Sequence, residues 1–330
     1  MKKLLLTTAL LLVMGLILCC TSRQDSFNYN LSEGLKFMEE GNWNEAVKTF
    51  DLCVKEKPAF SVGYFFRSDA YYMKGAYEEA LADIIMAAEF WNDTIGVPEY
   101  TLYLYRGEIY EHLDMHNEAI AYFDTAYNVA LRSEGIDVIK DILYERANLY
   151  YNMSDYDSSD TDYKQLLGYD INDSEALLGI LRNMLGRNDL QGTIDLSNKY
   201  LQNGYNLHSI YFYRMQAYER LGDVENAINN LLIFIDEYEG DDLKDILLKH
   251  NNSLPFLEVA YNFNSNELKH LLGIKKSELN LDYGAAIEEY NEFEVLYGFT
   301  PIMYYHRGRC YYASGDSVKA NADFEHFTYR

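Results

Sequence analysis

The sequence predicts an all-α chain built from one helical hairpin written many times. Two stretches carry that expectation. "YLYRGEIYEHLDMHNEAIAYFDTA", ending at Ala126, and "MYYHRGRCYYASGDSVKANADFEHF", from Met303 to Phe327, align on Arg-Gly, then a Tyr, an Ala and a Phe at identical offsets. The third observation is the spacing of a small residue that follows a short polar turn. These anchors are Ala46, Ala80, Ala119, Ser159, Thr193, Ala227, Ala286 and Ala320, separated by 34, 39, 40, 34, 34, 59 and 34 residues. A fixed period of this length marks a repeat architecture.

Each repeat has the same internal logic. A small residue stands twelve before the anchor (Gly34, Ser68, Gly107, Ala147, Gly308), where two helices must approach closely. A large apolar residue stands four after it (Phe50, Ile84, Phe123, Tyr163, Leu231, Tyr290, Phe324), giving each second helix a buried stripe. Gly41, Gly75, Gly222 and Gly315, five before their anchors, stop the first helix, because glycine enters the left-handed region at little cost. Asn42 and Glu45 form a candidate capping box for the second helix of repeat 1, and Pro58 marks its end.

The stretch "GLKFMEEGNWNEAVKTFDLCVKEKP", with the Gly, aromatic, Ala, aromatic spacing above, resembles the tetratricopeptide repeat family over roughly residues 27–330. Repeats 1, 2, 3, 6 and 8 match well. Repeat 5 departs at Leu181, Met184 and Ser197, and repeat 7 at Ile274 and Ser277. The resemblance implies a right-handed α-solenoid of about eight hairpins whose first helices line a concave groove. Such repeats contact only their neighbours, so the core is a ribbon, and one elongated array replaces the two domains that length suggests.

In chain order, residues 1–19 read as an export signal, with Lys2 and Lys3 before the apolar Leu4–Leu18. That run is too short to span a membrane comfortably. Ile17-Leu18-Cys19-Cys20 looks like a bacterial lipoprotein processing box, with Cys20 the lipidated residue and Cys19 the alternative. An ordinary cleaved signal is the competing reading. Several acyl chains would anchor the protein without a transmembrane helix. Residues 20–28 form a tether, 29–238 repeats 1–6, 239–263 an inserted helical segment and 264–330 repeats 7–8. Thr21 is not acidic, which by resemblance to an enteric sorting pattern disfavours retention at the inner membrane. The expected location is the bacterial envelope, at the outer membrane facing the periplasm. Loops are expected near Asn92–Pro98 and Ser133–Asp137, where the period lengthens. Cys53 and Cys310 fall on core positions in the first and last repeats, too far apart to bridge. The last helix has no polar helix after it and is expected to expose an apolar face.

Two sets of residues could carry function. Arg67, Arg106, Arg146, Arg214 and Arg307 recur thirteen before the anchor, and sixteen residues later stand Asp83, Tyr122, Asp162, Asn230 and Asp323. The Arg67–Asp83, Arg146–Asp162 and Arg307–Asp323 pairs read as structural bridges within one hairpin. The positions that the family resemblance points inward are the candidate partner-binding groove: Phe65, Asp69, Tyr72, Leu104, Glu108, Glu111, Tyr144, Asn148 and Tyr151, continuing with Phe212, Gln216, Glu219, Tyr305, Arg309 and Tyr312. Aromatic side chains are stiff and amphipathic and are enriched at binding hot spots, although packing between repeats would use the same residue types.

A net charge of −24 repels a phosphate backbone, so nucleic acid is not an expected ligand; a basic partner, or simple solubility, is what this charge allows. No phosphate-binding glycine loop, GxSxG or HExxH occurs; His112 and His116 straddle the turn in "HLDMHNE". The expectation is a non-enzymatic, lipid-anchored scaffold with no cofactor or metal, whose partner is another envelope protein or peptide. A lipoprotein that binds carbohydrate or another small ligand for uptake is the alternative.

Overall fold

A computed structural model of the protein describes residues 26–92, 97–133, 135–205, 208–237, 265–299 and 301–328. The signal, Cys19, Cys20 and the 239–263 insertion lie outside them. Among the described residues there are sixteen helices. They are α1 (Ser26–Glu39), α2 (Trp43–Glu56), α3 (Ser61–Lys74), α4 (Tyr77–Glu89), α5 (Glu99–His112), α6 (His116–Ser133), α7 (Ile136–Asn152) and α8 (Tyr156–Tyr169). They continue with α9 (Ser174–Gly186), α10 (Leu190–Gln202), α11 (His208–Arg220), α12 (Val224–Glu237), α13 (Ser265–Leu279), α14 (Tyr283–Tyr297), α15 (Pro301–Ala313) and α16 (Ser317–Thr328). None of the described helices is long and apolar enough to cross a membrane. The chain divides into two compact units, Met1–Ala176 and Leu177–Arg330, with the division inside α9.

The register of the sequence is the register of the core. All eight anchors are fully buried. Opposite them the first helix carries a residue with no room to grow: a Cβ on Gly34 would lie 2.4 Å from the Phe50 ring, and one on Gly107 2.5 Å from Phe123. In repeat 2 a serine replaces the glycine, and Ser68 Oγ donates to the Ala80 carbonyl at 2.7 Å, whereas repeats 5, 6 and 7 bury Leu181, Met215 and Ile274 at that place.

Each first helix ends in the same way. Positive φ occurs five residues before every anchor, at Gly41, Gly75, Gly222 and Gly315, and equally at Asp114, Ser154, Asn188 and Leu281. The next N–H closes a wide loop onto the first helix, for example Asn42 onto the Phe37 carbonyl at 2.8 Å and Asp282 onto Ser277 at 3.0 Å. Hairpin geometry therefore holds even where the residue pays a steric cost in the left-handed region.

Three local expectations are corrected. Asn42 makes no side-chain cap, and Glu45 instead accepts from Lys48 at 2.6 Å. The capping carboxylates lie in later repeats: Asp155, Asp189, Asp223, Asp282 and Asp316 each accept from the N–H three residues on. The extra residues after repeat 3 leave a narrower break than the loop expected over Ser133–Asp137, since α6 runs to Ser133 and α7 starts at Ile136. They lengthen α6 to 18 residues and α7 to 17, because Ala126, Ala130, Ile139, Ile142 and Leu143 continue the buried stripes. Helix α1 begins at Ser26, inside the segment read as tether, because Phe27 is buried edge-on against Phe60, with ring centroids 5.2 Å apart.

Candidate functional site

The repeated arginines hold more than one hairpin. Arg67 on α3 donates through Nε and Nη2 to Asp83 on α4, at 2.6 and 2.7 Å, and through Nη1 to Asp51 on the preceding α2, at 2.6 Å. Arg146 pairs with Asp162 at 2.8 and 2.6 Å and reaches back to Asp124. Arg214 donates to Asn230 and Asn198, both at 2.6 Å. Arg307 donates to Asp323 twice at 2.8 Å, to Asn291 at 2.9 Å and to Glu294. Each guanidinium thus ties its own hairpin and the one before it. The backward partners, Asp51, Asp124, Asn198 and Asn291, all stand five after an anchor; that regular polarity was the signal for them. Arg106 is the exception. Its two partner positions hold Ile85 and Tyr122, and its guanidinium lies 4.1 Å from the Tyr122 ring centre instead.

The groove aromatics do not form an open aromatic surface. Phe65, Tyr72, Tyr144 and Phe212 are buried, as are Asp69 and Gln216. Tyr105 on α5 is the reason in the first unit. Its ring packs on Phe65 and Tyr72, at 5.9 and 5.3 Å, and its hydroxyl donates to Asp69. Burial, then the Asp69 charge, pushes the Tyr105 phenol far above its ordinary range. Tyr144 donates to Asp173, Asn148 accepts from Tyr163 at 2.9 Å, and Tyr151 packs on Tyr156. Phe212 packs on Phe234, at 4.9 Å. In the last hairpin Tyr305, Arg309 and Tyr312 are exposed, and Glu219 on α11 is half-buried.

Four of the groove residues do meet in one cavity. Tyr72, Leu104, Glu108 and Glu111 line a pocket of about 380 Å³ with His112, Asp114, His116, Asp141, Glu145 and Asn152. Helices α3, α5 and α7 supply most of it. Five of its ten lining residues are carboxylates and none is Lys or Arg. Tyr72 supplies a nearly buried wall, braced edge-on by His112, which itself stacks on Tyr77 at 4.7 Å. The field is negative enough to register on its neighbours. Burial first, then Glu108, Tyr77, Glu111 and Glu145, raises the Tyr72 phenol above its ordinary value. Burial and then Asp137 raise the Asp141 carboxyl.

Sequence reasoning missed Asp141 and Glu145. The inward offsets selected Tyr144, Asn148 and Tyr151, but the pocket side of α7 carries Asp141, Glu145 and Asn152. One residue turns a helix by about 100°, so a one-residue offset changes which face is meant. The i, i+4 pair of acids at 141 and 145 was the available signal.

The tetratricopeptide repeat family model matches residues 100–131, the α5–α6 hairpin at the heart of this pocket. The same register recurs at all eight buried anchors. The match marks that hairpin as a tetratricopeptide repeat. Among solved structures, it is similar to the C-terminal part of a TPR repeat-containing protein from Cytophaga hutchinsonii, at 14% identity and a TM-score of 0.60, over 83% of this chain and 97% of that one. It is also similar to a tetratricopeptide repeat protein from Parabacteroides merdae, at 14% identity and a TM-score of 0.51, over 85% and 96%. At that identity the shared property is the all-α, helical-repeat solenoid fold. No curated protein matches the chain in sequence.

Proposed function

We propose that the chain is a non-enzymatic, lipid-anchored scaffold of the bacterial cell envelope, and that the α3–α5–α7 pocket receives a Lys- or Arg-bearing segment of another envelope protein. The observation that carries this reading is the convergence of five carboxylates on a cavity with no cation in its lining. A basic side chain entering it gains charge-assisted hydrogen bonds, and its aliphatic stem packs against Tyr72 and Leu104. A net charge of −24 adds long-range attraction for such a partner. The anchor rests on Lys2, Lys3, the apolar run and Cys20, with Cys19 as the alternative site, and the outer membrane facing the periplasm is the location it favours.

Brief crosslinking in the native envelope, followed by recovery of the tagged chain, tests the partner. The comparison is wild type against Glu108→Gln, Glu111→Gln and Glu145→Gln combined, with circular dichroism to establish that the variant stays helical. A protein recovered with wild type and lost with the folded variant supports the reading. Equal recovery with both refutes the pocket as the interface. The anchor is tested separately: Cys20→Ala should move the chain from the membrane to the soluble fraction. If it does not, and Cys19→Ala does not either, the lipid anchor is refuted.

A further inference from the structure

The second unit holds a cavity of the opposite character. It has a volume of about 320 Å³, and Lys275, His306 and Arg309 contribute to its wall, against a single carboxylate, Glu278. Leu279, Leu281 and Tyr283 add apolar and aromatic surface. In a chain of net charge −24, a wall with more cations than anions runs against the composition.

Glu278 is already committed. Its Oε1 accepts from the Tyr290 hydroxyl at 2.7 Å and lies 3.7 Å from the Cys310 Sγ. Its Oε2 accepts from Lys275 at 2.8 Å. Its charge is therefore balanced inside the wall. Arg309 is different: it is exposed, and it has no hydrogen-bonded or ionic partner among the described residues. A guanidinium fork with its donors unused, beside a half-buried imidazole and over an apolar floor, matches a planar carboxylate attached to an apolar body. Burial holds His306 below its ordinary value, with the Lys275 and Arg309 charges adding to that and Glu278 opposing it. A neutral imidazole can still donate one hydrogen bond to a carboxylate.

The geometry points to a carboxylate-binding site between α13 and α15, with Arg309 as the primary contact and Leu281 and Tyr283 receiving an apolar or aromatic group. It does not depend on the acidic pocket of the first unit, since the two share no residue. The carboxylate could belong to a free small acid or to an acidic residue of a peptide, and the choice of probes separates these sources.

The full chain is titrated calorimetrically with N-acetyl-phenylalanine, with its neutral amide, and with the peptide N-acetyl-Glu-Phe-amide. The acid or the peptide should bind at least tenfold more tightly than the neutral amide, and added salt should weaken that binding. Arg309→Gln should abolish the preference and Arg309→Lys should retain part of it. Thermal melts of both variants should match wild type, because Arg309 holds nothing in place. Preference for the free acid identifies a small-molecule site, and preference for the peptide a protein partner. Binding of both the acid and the peptide no tighter than that of the amide, no binding of any probe at millimolar concentration, or full binding by Arg309→Gln would overturn the proposal.

Discussion

Removing Asp83 should cost far more stability than removing Asp51, although both carboxylates contact the same guanidinium. The Asp83 side chain is 8% exposed and takes two bonds from Arg67, at 2.6 and 2.7 Å. The Asp51 side chain is 36% exposed and takes one. Asp83→Ala leaves a guanidinium that is only 17% exposed facing an empty acceptor site. Breaking a buried pair in this way costs about 3–5 kcal/mol. Asp51→Ala removes a pair that water already screens, worth about 0–1 kcal/mol. The double variant Arg67→Met, Asp83→Leu should cost less than Asp83→Ala alone, because no charge is stranded. The assay is urea unfolding followed by far-ultraviolet circular dichroism, with hydrogen exchange of α3 and α4 to localise the loss. Equal costs for Asp83→Ala and Asp51→Ala, or a double variant worse than the single, would refute the argument that burial sets the strength of these clamps.

Gly107→Ala should destabilise by about 1–3 kcal/mol, because its Cβ would lie 2.5 Å from the Phe123 ring, and adding Phe123→Leu should recover part of that in the same urea assay. Ala76→Asp should stabilise by about 1 kcal/mol: Ala76 has φ −92 and ψ 69, close to the −86 and 72 of the working cap Asp155, yet has no side-chain acceptor. Leu281→Gly should stabilise by about 1 kcal/mol, since Leu281 sits at φ 59 with an exposed side chain, while Gly75→Ala, at φ 80, should do the reverse. Burial raises the thiols of Cys53 and Cys310 from 9.0 to about 12. Neither should react with a thiol reagent at pH 8 until the chain unfolds, as mass mapping of the labelled peptides would show. Because the unfolded thiols ionise first, stability should be intact below pH 9 and fall as pH rises from there towards 12.

How much of this was legible in the sequence depended on whether one residue or several decide a feature. An anchor is decided by size alone, since only Ala, Ser or Thr fits where two helices touch, and all eight are fully buried. The left-handed turn residue was legible from glycine at four repeats only. Asp114, Ser154, Asn188 and Leu281 adopt the same conformation because the hairpin imposes it, so the rule lies in the register and not in the residue. The aromatic groove failed because Tyr serves equally as a binding surface and as packing. What buries Phe65 and Tyr72 is the ring of Tyr105, forty and thirty-three residues further on, which no local pattern around either residue reveals. The surplus of the 40-residue spacing reads as a loop near Ser133–Asp137, whereas most of it extends α6 and α7, whose buried stripes run on to either side of the break.

The same division of labour explains why the pocket is acidic. Thirteen before the anchor, Arg is directed between hairpins, and there it neutralises Asp83, Asp162 and Asp323 in the interior. Eleven and eight before the anchor on α5 stand Glu108 and Glu111, on the pocket side, which no arginine lines. Guanidinium charge is thereby consumed by the stacking of hairpins, while carboxylates on the open face keep theirs. The clamp arginines are thus spent inside the stack, while lysines such as Lys48, Lys164 and Lys319 stay exposed and five carboxylates line the α3–α5–α7 pocket. Arg309, exposed and without a partner among the described residues, departs from that arrangement, which is why the small cavity beside it is the place where an anion, and not a cation, has something to bind.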